Sequence, residues 1–390
     1  MSRSPRNVEE FRLRARRHLP RAVFDFVDGG ADDEVTLRAN RAQFERLRLV
    51  PRVLVDVSDR DLSTTVAGVP LRLPIIFAPA GLVGLVHPDG ETAAARVAVG
   101  RGIIAVISGH ATYSLEEVAQ VAPGQWFDLF PWRSRSFYGE VMQRALQAGY
   151  SGLCITIDTP VVGNRERDRM NGFTIPPALL SHSLDYARHP AWIASTLIHR
   201  RGTMRNFEPG RPSITSFIRK AAASASTVGF IDQTMTWDDI EWIRENWPGP
   251  LGIKGAFGVS DAKRFADVGV DALFVGNHGG RQLDGLQPGL EQLQRLSRGV
   301  GDRIDLVLDG GVRRGTDIIK ALALGARACM VGRAWVYGLA VGGLRGVESI
   351  LDILESEVDT GMALLGVRSV SELDAAFVAP AAASSGWTAR

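Results

Sequence analysis

The feature of this 390-residue chain that most narrows its fold is an alternation repeated eight times. Short apolar, β-rich runs stand at 75–78, 104–107, 126–130, 153–158, 251–254, 272–276, 306–309 and 328–331. Between them, stretches such as 91–99, 137–148, 260–268 and 316–324 carry apolar residues at helical spacing and end at Gly. A continuously apolar strand is buried on both faces, as in a parallel sheet covered by helices. Eight such units predict an α/β fold closed into a (β/α)8 barrel rather than an open sheet.

The residues outside the repeat are read as additions to one unit, 1–378. Residues 1–74 are expected to cap the bottom or side of the barrel, and 379–390 to form a flexible tail. Val8, Phe11, Leu13 and Leu19, spaced among Arg12, Arg14, Arg16 and Arg17, predict a surface amphipathic helix. Residues 177–235, between the fourth and fifth runs, are far longer than an ordinary connection. They can serve as a lid, a membrane-touching loop or a partner site.

Composition excludes several classes. Forty-five Lys and Arg against 43 Asp and Glu leave a net charge of +2, too small for a general nucleic-acid binder. Two Cys rule out a disulfide scaffold and a Cys-rich metal site, and no zinc-ligand spacing is present. There is no G-x-S-x-G elbow of a serine hydrolase. The basic N-terminus is not followed by the apolar core of a secretory signal. The longest apolar run, 74–86, is broken by Pro79, Gly81 and Gly84 and is too short to span a bilayer. The expected location is cytoplasmic.

In such a barrel the chemistry sits at the C-terminal ends of the strands. Those positions here hold Pro79-Ala80-Gly81, Ser108-Gly109-His110, Asp128 and Phe130, Thr156 and Asp158, Lys254, Asn277-His278-Gly279-Gly280-Arg281, Asp309-Gly310-Gly311-Val312-Arg313 and Gly332-Arg333. Two Gly/Arg pairs follow the last two strands, where this fold usually binds phosphate; glycine lets backbone N–H groups approach an anion and arginine adds charge. One pair alone would read as a tight turn. His278 is the best candidate base, with Asp158 a plausible carboxylate to hold its tautomer and Arg281 suited to a substrate anion.

The segments GNHGGRQLDG at 276–285, LDGGVRRGTDIIKALALGA at 308–326 and VGRA at 331–334 resemble the FMN-dependent L-2-hydroxy acid dehydrogenases and oxidases, the family of glycolate oxidase and flavin-type lactate dehydrogenase. The resemblance covers about residues 8–375. VVGNRERDRMNGFTIP at 161–176 and RHPAW at 188–192 are most similar to the membrane-associated mandelate dehydrogenase branch. By position, the resemblance implies that Pro79, Ala80 and Gly81 bring backbone against FMN. Ser108, Asp128, Thr156 and Lys254 lie beside its ring system. Asp309, Gly311, Arg313, Gly332 and Arg333 hold its ribityl phosphate. His278 acts as base, oriented by Asp158, while Arg281 and Arg165 grip the substrate carboxylate. It also implies a small-molecule substrate, a homotetramer and peripheral membrane contact through 177–235, with no metal.

The chain departs from the family at the substrate. Tyr is usual where Phe26 and Phe130 stand, Gln where Asp128 stands and Ser where Gly276 stands. An ionised Asp128 would disfavour electron uptake by the flavin. His110 lies at a pocket-lining position and can supply a replacement contact. The expected reaction is oxidation of a bulky, mandelate-like L-2-hydroxy acid to the 2-keto acid. The alternatives are a non-standard biosynthetic substrate on the same FMN and His278, or a flavin-binding module with little catalysis.

Overall fold

In the computed structural model the described residues are 4–132, 135–173, 183–199, 202–207 and 232–381. Eight parallel strands close a barrel in simple sequential order. They are β1 (Ile75–Phe77), β2 (Ile104–Ser108), β3 (Trp126–Leu129), β4 (Gly152–Thr156), β5 (Leu251–Gly255), β6 (Ala272–Val275), β7 (Asp305–Asp309) and β8 (Ala328–Val331). All eight apolar runs became strands, with ends moved by a residue or two. Outside them pack Gly90–Arg101, Leu115–Val121, Arg135–Gln147, Trp237–Asn246, Val259–Val268, Gly289–Val300, Gly315–Ala323 and Arg333–Leu365, one after each strand. The last of these breaks at Gly342 and Gly343, whose backbone is not helical.

Two apolar layers hold this arrangement. The outer layer joins strands to helices. The inner one fills the barrel with alternate strand residues: Ile76, Ile104, Val106, Trp126, Cys154, Ala272, Phe274, Val307, Ala328 and Met330. Trp126 and Phe274 meet edge-on at 5.8 Å across this interior. They fit because Gly152 and Gly252 face them: a Cβ on either glycine would lie 2.3 Å from the facing ring. Both cysteines are buried and unpaired.

The N-terminal segment does more than cap the bottom. The antiparallel pair Thr64–Val66 and Val69–Leu71 closes the lower end, with Val66 and Leu71 in the inner layer. The helices Arg21–Asp28 and Val35–Glu45, however, reach the opposite end, where Asn40 exchanges two amide hydrogen bonds with Asn277 at 2.8 and 3.0 Å. The expected first helix forms at Val8–His18, but it buries Val8, Phe11 and Ala15 against Arg333–Leu365 and leaves Leu13 exposed. The expected tail begins too early: Ala379 and Pro380 pair with Arg48 and Leu47 in an antiparallel ribbon. Residues 382–390 lie outside the described residues, as does most of the expected insertion; its described parts include the short helices Ser183–Ala187 and Pro190–His199. No helix among the described residues is long and apolar enough to cross a membrane.

Candidate active site

Strand alternation builds the site. Two residues above the apolar filling, each strand turns its next inward position to the barrel mouth. On seven of the strands those positions are Ser108, Asp128, Thr156, Lys254, Gly276, Asp309 and Gly332, and on β1 the position is Ala78. A dry interior therefore ends in a polar ring. Lys254 and Asp309 form a buried ion pair, Nζ to Oδ2 2.9 Å. The Thr156 hydroxyl donates to Asp128 Oδ1 at 2.8 Å, while Asp128 Oδ2 is buried without a hydrogen-bond partner among the described residues. Burial drives the Asp128 carboxyl up to about 7, against the opposing pull of Lys254. The expectation of a fully ionised Asp128 is therefore revised.

His278 follows β6 in a left-handed conformation, φ 54°, which is uncommon for a residue with a side chain. Asn277, locked by Asn40 and by Gly280 N–H, fixes the backbone there. His278 Nδ1 lies 3.1 Å from Asp158 Oδ1. Burial lowers the imidazole pKa; Asp158 raises it, and the nearby Lys254 and Arg165 charges lower it further. Burial alone would raise Asp158, yet its contact with His278 holds the carboxyl below its ordinary value. A neutral ring that donates Nδ1–H to Asp158 keeps its Nε2 lone pair available as a base.

Three half-buried guanidiniums surround this pair. Arg165 donates to Arg281 O and Gln282 Oε1, at 3.3 and 3.2 Å. Arg281 donates to Phe26 O and Gly29 O, at 2.6 and 3.1 Å. Arg333 donates to the carbonyls of Val27, Gly29 and Gly279. Among the described residues, none of the three has a carboxylate within ion-pair distance. Burial lowers all three from the ordinary arginine value. Arg167, two residues from Arg165, behaves oppositely: it pairs with Glu34, Asp28 and Asp25. Half-buried cations satisfied only by neutral oxygens leave room for anions.

The remaining expected residues divide between these groups. Arg313 extends over the Tyr337 ring at 5.7 Å, near Arg333. Gly311 has φ 82°, and a Cβ there would lie 1.9 Å from Asn40 O, so the turn after β7 requires glycine. Gly332 begins Arg333–Leu365, a helix N-terminus at the β8 end. Pro79, Ala80 and Gly81 are partly buried after β1, and a Cβ on Gly81 would lie 2.9 Å from His110 Cβ.

Aromatic rings form the walls. Phe130 is edge-on to His110 at 4.3 Å and to His278 at 6.3 Å. Phe26 stacks on Phe173 at 4.3 Å, with Arg281 5.1 Å above its ring. Burial, reinforced by His278 and Arg165, brings His110 down to about 4, so it is neutral at physiological pH.

Sequence reasoning missed Gln282 and Asn40. Gln282 receives Gly163 N–H and Arg165 and donates to the Asp158 and Val161 carbonyls, tying the two halves of the site together. Its place beside Arg281 was the available signal. Asn40 had none, because its partner is 237 residues away.

The ring, the orphaned Asp128 oxygen and the guanidiniums beside a helix N-terminus fit FMN: a flat heterocycle with polar edges and a phosphate tail. Comparison with known proteins agrees. The family model described as FMN-dependent dehydrogenase matches residues 15–380. The chain is 41% identical over 380 residues to an L-lactate oxidase of Nostoc sp., covering 96% of this chain and 98% of that protein. It is 36% identical over 374 residues to glycolate oxidase of Spinacia oleracea, covering 96% and 95%. Among solved structures, the monotopic membrane protein (S)-mandelate dehydrogenase superposes with a TM-score of 0.90 at 36% identity, over 97% of this chain and 100% of that one. The chain belongs to the FMN-dependent dehydrogenase family and is an FMN-dependent 2-hydroxy acid dehydrogenase or oxidase.

Proposed function

We propose that this enzyme oxidises a bulky, aromatic L-2-hydroxy acid of the mandelate type to its 2-keto acid. The observation that carries this reading is the pair Arg165 and Arg281, half-buried and without carboxylate partners among the described residues, beside the His278–Asp158 couple. Their guanidiniums bind and orient the substrate carboxylate. His278, held neutral and aimed by Asp158, accepts the substrate proton. Lys254 places positive charge in the ring at the barrel mouth. Bound FMN supplies the two-electron acceptor. Pro79, Ala80, Gly81, Ser108, Asp128 and Thr156 line its ring system; Gly311, Arg313, Gly332 and Arg333 hold its phosphate.

The aromatic preference rests on the walls. Phe26 and Phe130 offer rings without hydroxyls, so a small substrate loses two hydrogen bonds worth about 1 kcal/mol or more each. An aryl substituent recovers contact area on Phe130, His110 and Phe173. Anaerobic mixing with a panel of L-2-hydroxy acids tests this: mandelate should bleach the flavin faster than lactate or glycolate. Faster reduction by lactate would remove the aromatic assignment; no reduction by any member would remove the reaction.

We also infer peripheral membrane contact through 177–235 and assembly into a homotetramer. Leu184 and Ile198 are exposed on the two short helices of that segment, which suits an interfacial helix. Val53 and Leu54 are exposed elsewhere, on a loop of the N-terminal segment. Sedimentation with and without anionic vesicles reads both, and a free monomer in each condition refutes them.

A further inference from the structure

Asp128 occupies the polar ring with no cation of its own among the described residues. The groups facing it come from several elements. Thr156 and Cys154 lie on β4, with Asp158 just beyond. Lys254 faces it from β5, and Ser108 pairs in register with it from β2. Lys254 is engaged by Asp309 at 2.9 Å, and Asp158 by His278 at 3.1 Å. Three carboxylates thus share one ammonium and one neutral imidazole, and the carboxylate left over is Asp128. Its Oδ1 already accepts from Thr156. Its Oδ2 is buried and accepts no hydrogen bond among the described residues, and the Cys154 thiol beside the carboxyl is only a weak donor, so as an anion it would be a poorly compensated buried charge. As an acid, Oδ2–H becomes a donor available to the cofactor.

We propose that Asp128 is a proton-exchanging group of the FMN cradle: while the flavin is oxidised it gives up its proton as the pH rises, and it regains the proton when the flavin is reduced. Two electrons and one proton bring the bound flavin to its anionic reduced form. A second proton, taken from solvent, converts the Asp128 carboxylate to the acid, so alkaline reduction consumes two electrons and two protons. An added negative charge beside a buried carboxylate favours protonation. This inference rests on FMN binding and not on the substrate assigned above.

The test is a potentiometric titration of the FMN-loaded protein, wild type and Asp128→Asn, from about pH 6 to about pH 9. On the alkaline side the wild-type potential should fall more steeply by about 30 mV per pH unit, the two-electron equivalent of one proton. The two lines should become parallel on the acid side. Titration of His278 is common to both proteins and cancels in the comparison. Parallel lines over the whole range, with FMN bound, would overturn the proposal alone; wild-type protein that takes up no FMN would overturn the cofactor assignment with it. If Asp128→Asn does not load, Asp128→Gln serves, and redox-difference infrared spectra of the wild type give a direct reading. A carboxylic-acid C=O band should appear on reduction at alkaline pH, and its absence would refute the exchange.

Discussion

The ring of Phe130 meets the ring of His110 edge-on, with centroids 4.3 Å apart, and the same Phe130 ring stands edge-on to His278. A hydroxyl added to Phe130 would therefore enter a wall shared by two neutral imidazoles. Phe130→Tyr is expected to raise kcat/KM for lactate by roughly five- to tenfold, about 1 kcal/mol, and to change mandelate turnover less. Steady-state kinetics on both substrates checks this, and an equal effect on the two would contradict the proposed wall.

The Asp158–His278 couple sets an acid limit on activity. His278 has a lowered pKa, so protonation inactivates the base only below the ordinary histidine range, near 6.5. Asp158 raises that pKa. Asp158→Asn should therefore move the acid limb of kcat/KM to lower pH while reducing its plateau by about 10²–10⁴-fold. A shift to higher pH would mean that Asp158 does not stabilise the imidazolium.

Arg281 is fixed by the Phe26 and Gly29 carbonyls and lacks an ion-pair partner among the described residues. Replacing its fork by Lys keeps the charge and loses the bidentate geometry. Arg281→Lys should cost about 2 kcal/mol in kcat/KM, roughly thirtyfold, and Arg281→Met more, with the bound-flavin spectrum little changed. Substrate titrations followed at the flavin absorbance separate loss of affinity from loss of rate.

Inside the barrel, a Cβ on Gly252 would lie 2.3 Å from the Phe274 ring. Gly252→Ala is expected to destabilise the fold by about 1–3 kcal/mol, read as a lower urea midpoint at constant m-value. Gly252→Ala with Phe274→Leu should recover part of the loss, since the clash is with that ring.

Much of this was legible in the sequence because buried parallel strands declare themselves locally. Runs such as 104–107 and 272–276 are apolar without interruption and end in residues with no place in a core. Alternation then carries Val106 to Ser108 and Trp126 to Asp128, so the polar ring follows from the same pattern. The path of the first 74 residues was not legible. The Asn40–Asn277 exchange and the Arg281 contacts with Phe26 and Gly29 join positions more than 200 apart and leave no trace in either neighbourhood. The raised pKa of Asp128 was not legible for a related reason: burial is produced by the whole barrel, and composition near one residue does not reveal it.

The ribbon between Leu47–Leu49 and Val378–Pro380 has a consequence for biosynthesis. The segment that leaves the ribosome early supplies the Phe26, Val27 and Gly29 oxygens that seat Arg281 and Arg333. It is buckled down by a segment made much later. Nascent chains halted before residue 378 should therefore be unable to retain the prosthetic group, and its capture waits on the closing of this ribbon.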